Sequence, residues 1–72
     1  MAERDVERNC DTKDFVAALR RLADALEAGE SFRIQVVGKR FTVPKGAELS
    51  IEHEVEDGNE ELALELQWSA EA

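Results

Sequence analysis

His53, Cys10, Trp68 and a run of glutamates are the side chains of this sequence whose chemistry could make a site. A histidine can ligate a metal or move a proton at neutral pH. His53 is the single histidine, so Cys10 and carboxylates would have to complete any ligand set. Its neighbours Glu52 and Glu54 fall on the opposite face if the segment is a strand. Cys10 stands just before a helical pattern, and a helix N-terminus can activate a thiol. No histidine or resolving cysteine is close to it in sequence. Glu52, Glu54, Glu56, Glu61 and Glu65 form an acidic cluster. Calcium needs oxygen ligands converging from a loop, whereas these carboxylates are spread along two strand-like segments. Asp57-Gly58-Asn59-Glu60 is too short for an EF-hand loop, and Gly38 and Gly46 are single turn glycines without a phosphate-cradling pattern. No Ser-His-Asp or Cys-His arrangement is present. The residues therefore predict no catalytic group, no metal and no cofactor.

Composition narrows the partners. The 72 residues carry a formal charge of −8 and are 43% hydrophobic. Such a chain makes one small domain, burying about 60% of its unfolded surface, with a core rarely contributing more than about 3–5 kcal/mol. Nucleic acid and anionic membranes are disfavoured by the charge, which favours basic partners, cations or simple solubility, while the small size makes self-association a further expectation. A lone cysteine cannot form an internal disulfide. MAERDVERNC has no apolar core of a signal peptide, and no apolar run is long enough to span a bilayer. The expectation is a cytoplasmic protein.

The elements follow from two periodicities. Asp11 or Thr12 caps a helix of about residues 12–28, with Asp14 in its first turn. Phe15, Val16, Leu19, Leu22, Ala23 and Leu26 form one stripe at period 3.6, and Gly29 ends it. From Ser31 the period becomes two. Phe32, Ile34 and Val36 form one strand, and Phe41 and Val43 a second that ends at Pro44. Leu49, Ile51, His53 and Val55 mark a third. ELALELQW is the fourth, with Leu62, Leu64, Leu66 and Trp68 on one face.

Turns centred on Gly38-Lys39 and Gly58-Asn59 give a trial register. Val36 then faces Phe41, Ile34 faces Val43, Val55 faces Leu62, His53 faces Leu64, Ile51 faces Leu66 and Leu49 faces Trp68. A three-residue middle turn sets Val43 against Leu49 and Phe41 against Ile51. The predicted fold is α+β: one amphipathic helix on a four-stranded antiparallel meander. Residues 1–10 are an arm or short edge strand, 11–69 the domain and 70–72 a tail.

On the other face this register opposes Glu56 to Glu61 and Glu52 to Glu65, with Arg40 relieving the second pair only. Like charges directly opposite cost free energy, so the face is solvated or meets a cation. Arg20, Arg21 and Arg33 supply ion pairs. One helix about 10–12 Å across does not quite cover four strands at about 4.8 Å spacing. A margin near the first strand, or near Trp68, is left for the N-terminal segment or a second subunit. Trp68 is then a core anchor or an interface aromatic.

The helix "FVAALRRLADALEAGE", a short hairpin, the acidic strand "ELSIEHEVED" and the closing strand "ELALELQW" together resemble the Amphi-Trp domain family, small proteins of bacteria and archaea. The resemblance covers residues from about 11 to 68. It implies the α+β fold and an extended segment before the helix at residues 4–9. The family has no established biochemical activity, so the resemblance transfers no site residue. The expectation is a non-enzymatic structural or protein-interaction module, acting through self-association or through the acidic face of Glu52, Glu54, Glu56, Glu61 and Glu65 with Arg40. The alternative is a small-ligand or metal-binding protein using the apolar margin near His53 and Trp68.

Overall fold

Asp11 starts the helix: its Oδ1 accepts a 2.9 Å hydrogen bond from the Asp14 N–H, satisfying one of the donors that a helix leaves unpaired at its N-terminus. The computed structural model describes residues 3–70, and α1 occupies Thr12–Ala28, as its apolar stripe predicts. Gly29 is left-handed. The Gly29 N–H donates to the Leu26 carbonyl at 3.2 Å and the Glu30 N–H to Ala25 at 2.9 Å, the two bonds of a Schellman stop.

Four strands follow: β1 (Phe32–Val36), β2 (Lys39–Val43), β3 (Glu48–Glu56) and β4 (Asn59–Gln67). The class is α+β, but the single meander is not formed. β1–β2 and β3–β4 are separate two-stranded antiparallel sheets, so the expected pairs Val43–Leu49 and Phe41–Ile51 are absent. The middle turn accounts for this. Pro44 begins it, Gly46 stands at its third position with φ 90°, and the Ala47 N–H reaches back 3.4 Å to the Pro44 carbonyl. That is the pattern of a type II turn. Unprimed turns splay the flanking strands, whereas primed ones match their twist. β3 therefore leaves β2 instead of pairing with it.

Both hairpins are displaced by two residues from the trial register. Their central residues are Val37-Gly38 (φ 46° and 76°) and Asp57-Gly58 (φ 51° and 81°). Positive φ at both central positions marks type I′ turns, in which glycine takes the second place; the trial register had placed it first. The pairs are Phe32–Val43, Ile34–Phe41, Gln35–Arg40 and Val36–Lys39 in one hairpin. In the other they are Leu49–Leu66, Ile51–Leu64 and His53–Leu62. A slip of two preserves side-chain parity, so every residue keeps its face while its partner changes. Val37 is a β-branched residue in the left-handed region, which costs on the order of 1–3 kcal/mol. Val37→Asn, giving Asn-Gly, is expected to stabilise the protein by about 1 kcal/mol. Thermal unfolding should show this as a rise of about 4–8 °C.

The core is small. Phe32 and Val43, cross-strand partners, are the buried apolar residues among those described, at 8% and 6% exposure. α1 sits on β1, with Ala18, Leu22 and Ala25 half-buried. Arg21 closes the edge of this core. Its guanidinium lies 5.1 Å from the Phe32 ring centre and donates to the Arg33 carbonyl at 2.7 Å. Residues 3–11 form no strand, so of the two expected forms of this segment, arm or short edge strand, the described residues take the arm. This arm is held by Arg4, whose guanidinium donates to the Val36 and Val37 carbonyls at the β1–β2 turn.

Candidate functional site

The alternation of β3 and β4 puts Leu49, Ile51, His53 and Val55 on the same face as Glu60, Leu62, Leu64 and Leu66. Nothing among the described residues covers it. Ile51 is 76% exposed, Leu62 69%, and Leu49, Val55 and Leu64 more than half. β3 and β4 pack on each other and barely on α1, β1 or β2. An isolated two-stranded hairpin is marginal in water, so this face needs a cover.

α1 shows the complementary feature. Ala18, Leu22 and Ala25 face β1, while Phe15, Leu19 and Leu26 remain exposed. At 3.6 residues per turn the centres of these two sets lie about 70° apart around the helix. Only one margin of the apolar stripe is seated on β1–β2, and the margin with the larger side chains is free.

The whole surface expresses the same deficit. The accessible area is 6627 Å², against about 4,500 Å² expected for a folded monomer of 8.1 kDa. The radius of gyration is 13.6 Å, against about 11 Å for a compact domain of this length. Residues 3–11 account for part of the excess, and the two bare apolar faces for another.

Trp68 lies one residue beyond β4, not opposite Leu49. Its ring stacks on Phe41, centroids 6.3 Å apart and planes 27° apart, and it remains 38% exposed. It is neither a buried core anchor nor free. Arg4, Val6, Lys39, Phe41 and Trp68 line an open groove of about 540 Å³ on one side of the stack.

His53 is remote from this groove. It pairs with Leu62, five rungs from the end of β4 at Gln67, or about 17 Å along the strand. Its Nε2 lies 3.0 Å from Glu60 Oε1, with both side chains exposed. Exposed ion pairs contribute little to stability. The trial register hid Glu60 by placing it in the turn, although its even number already put it on the face of Leu62. Among the described residues, no group of three or more His, Cys, Asp or Glu is arranged to hold a metal. Cys10 is an exposed free thiol.

The acidic face is rearranged by the register. Glu54 opposes Glu61, while Glu52 opposes Ala63, Glu56 opposes Asn59 and Glu65 opposes Ser50. The Ser50 hydroxyl donates to Glu65 Oε1 at 3.4 Å. The expected Glu52–Glu65 and Glu56–Glu61 clashes are thus replaced by one, Glu54–Glu61. Arg40 stands opposite Gln35 in the other sheet and lines a cleft with Arg21 and Arg33, so it does not join the glutamates. Glu61→Lys turns the opposed pair attractive. It is expected to raise stability by roughly 0.2–1 kcal/mol, with denaturation midpoints converging as salt screens the pair.

The model of the Amphi-Trp domain matches residues 1–72, and the chain belongs to that family. No curated protein and no solved structure shows significant similarity to it. No helix among the described residues is long and apolar enough to cross a membrane.

Proposed function

We propose that this Amphi-Trp domain protein is a small non-enzymatic, cytoplasmic interaction module that acts by self-association, with its acidic hairpin face turned outward to a basic partner. The observation that carries the reading is the uncovered β3–β4 face, whose Leu49, Ile51, Val55, Leu62 and Leu64 lie in solvent. Contiguous apolar surface of this kind marks a protein interface. A second copy is the one partner whose presence is guaranteed wherever the chain is made.

Sedimentation at micromolar concentration tests it. The expected mass is twice the 8.1 kDa of the chain, and a monomer throughout would remove self-association from the reading. Salt separates the two contacts. Two copies of a chain of charge −8 repel, so added salt should strengthen the assembly, whereas it should weaken capture of a basic partner. Glu52→Lys with Glu65→Lys should abolish that capture and leave fold and assembly intact; unchanged capture would clear the acidic face of any part.

A second reading, capture of a small ligand, is favoured by the groove beside the Phe41–Trp68 stack, with Arg4 and Lys39 at its walls. His53 has no part in it. Trp68 fluorescence titrated with a panel of small anions and metabolites should respond if this reading holds, and a flat response would exclude it.

A further inference from the structure

We infer that the cover of the β3–β4 face is the free margin of α1 from a second copy, and that the exchange is reciprocal: each hairpin of a two-fold dimer lies on the other copy's helix. The inference rests on the self-association proposed above and specifies its geometry.

Dimensions favour this pairing. A hairpin of two strands spaced about 4.8 Å apart is about 10 Å wide with its side chains, the width of one helix. The nine residues of β3 and of β4 extend about 30 Å, and the 17 residues of α1 about 25 Å. The excess of about 2,100 Å² over a compact monomer of this mass becomes about 4,200 Å² for two chains, within the range of obligate homodimers even after a share is assigned to residues 3–11.

The hairpin is held away from its own helix at both legs. β3 departs from β2 through the type II turn at Pro44–Ala47, and β4 returns to the Phe41–Trp68 stack. Closure onto α1 of the same chain is the competing arrangement, which the chain carrying both cysteines distinguishes. Packing hairpin on hairpin would leave Phe15, Leu19 and Leu26 in water and bring two His53–Glu60 pairs into one interface. The exchange covers both apolar faces at once and repeats itself under a two-fold axis, as a closed dimer requires.

Leu19 is near the middle of α1, and Ile51, opposite Leu64, near the middle of the hairpin. These centres meet whichever way the helix runs along the strands. In a Cys10→Ser background, chains carrying Leu19→Cys mixed with chains carrying Ile51→Cys should form a covalent dimer on mild oxidation, in greater yield than either variant by itself. Leu19→Lys and Ile51→Asp should each lose the dimer mass in sedimentation. Mixed in equal amounts they should regain it, because the mixed dimer keeps one unaltered helix–hairpin contact and pairs lysine with aspartate in the other.

Three results would overturn the inference. Leu19→Lys that remains dimeric, with cross-linking confined to Ile51→Cys chains, would place hairpin on hairpin and leave self-association standing. A monomer-sized disulfide in a chain carrying both cysteines would mean that the hairpin closes on its own helix. A wild-type monomer at all concentrations would remove this inference and self-association together. If either charged variant fails to fold alone, recovery of folded dimer on mixing supports the exchange, and failure to recover it with no mixed cross-link refutes it.

Discussion

Phe32→Ala is expected to leave the chain unfolded at room temperature, with loss of the far-ultraviolet helix signal and collapse of amide dispersion in NMR. Phe32 and its cross-strand partner Val43 are the buried apolar side chains of the described structure, and α1 is seated over them through Leu22 and its two alanines. Truncating a buried phenylalanine costs about 3–5 kcal/mol. Here the Arg21 guanidinium over the ring adds about 0.5–1 kcal/mol. A core of this size rarely supplies more than about 3–5 kcal/mol in total, so the single change removes the margin. The control is Ile51→Ala. At dilution, where copies are apart, this side chain is 76% exposed, and its loss should fall within about 0.5 kcal/mol of neutral. A large effect of Ile51→Ala that grows with protein concentration would identify the position as buried in an assembly. A folded Phe32→Ala protein would mean that the core lies elsewhere.

The helix is legible to within a residue because three independent signals agree on it: a cap at Asp11 or Thr12, the stripe from Phe15 to Leu26 and the Gly29 stop. The strands were equally legible, because alternation by two is visible without knowing any partner. Register was not. Val37-Gly38 and Gly38-Lys39 differ by a single step in sequence, but that step moves every pair by two rungs. Valine is so poor a residue for positive φ that its place at the first central position gives no sign in the sequence. Asp57-Gly58, a common type I′ pair, did give one. The middle turn is ambiguous in the sequence for a related reason. Counting residues from Pro44 to Ala47 makes a hairpin sterically permissible, but the hand of the turn, set by glycine at its third position, decides whether the strands diverge.

The register reshapes the candidate site by one route. With the slip of two, Trp68 loses Leu49 and finds Phe41, Glu54 acquires Glu61, and Arg40 is parted from the glutamates. None of the faces changed, since parity survives an even shift. The sequence was therefore a sound guide to which residues share a surface and a poor guide to which of them touch. It also foresaw a bare margin but underestimated it. A continuous sheet would leave only a margin bare, whereas the splayed turn leaves an entire hairpin uncovered.

Thermal stability that depends on concentration is the second large effect to expect. If β3–β4 and the free margin of α1 are buried only between copies, unfolding is coupled to dissociation and the midpoint rises with protein concentration. Unfolding enthalpies near 0.7 kcal/mol per residue give on the order of 100 kcal/mol for two chains of 72 residues. By mass action, a hundredfold rise in concentration then lifts the midpoint by about 10 °C. Calorimetry or circular dichroism at two concentrations would detect this readily. A midpoint unchanged across that range, together with a monomeric mass, would require a lone chain to keep Ile51, Leu62 and Leu64 ordered in water. The measurement also divides the molecule. A concentration-dependent transition in β3–β4 beside a concentration-independent one in α1–β1–β2 would show that the small Phe32–Val43 core folds first and presents the helix margin on which the partner's hairpin orders.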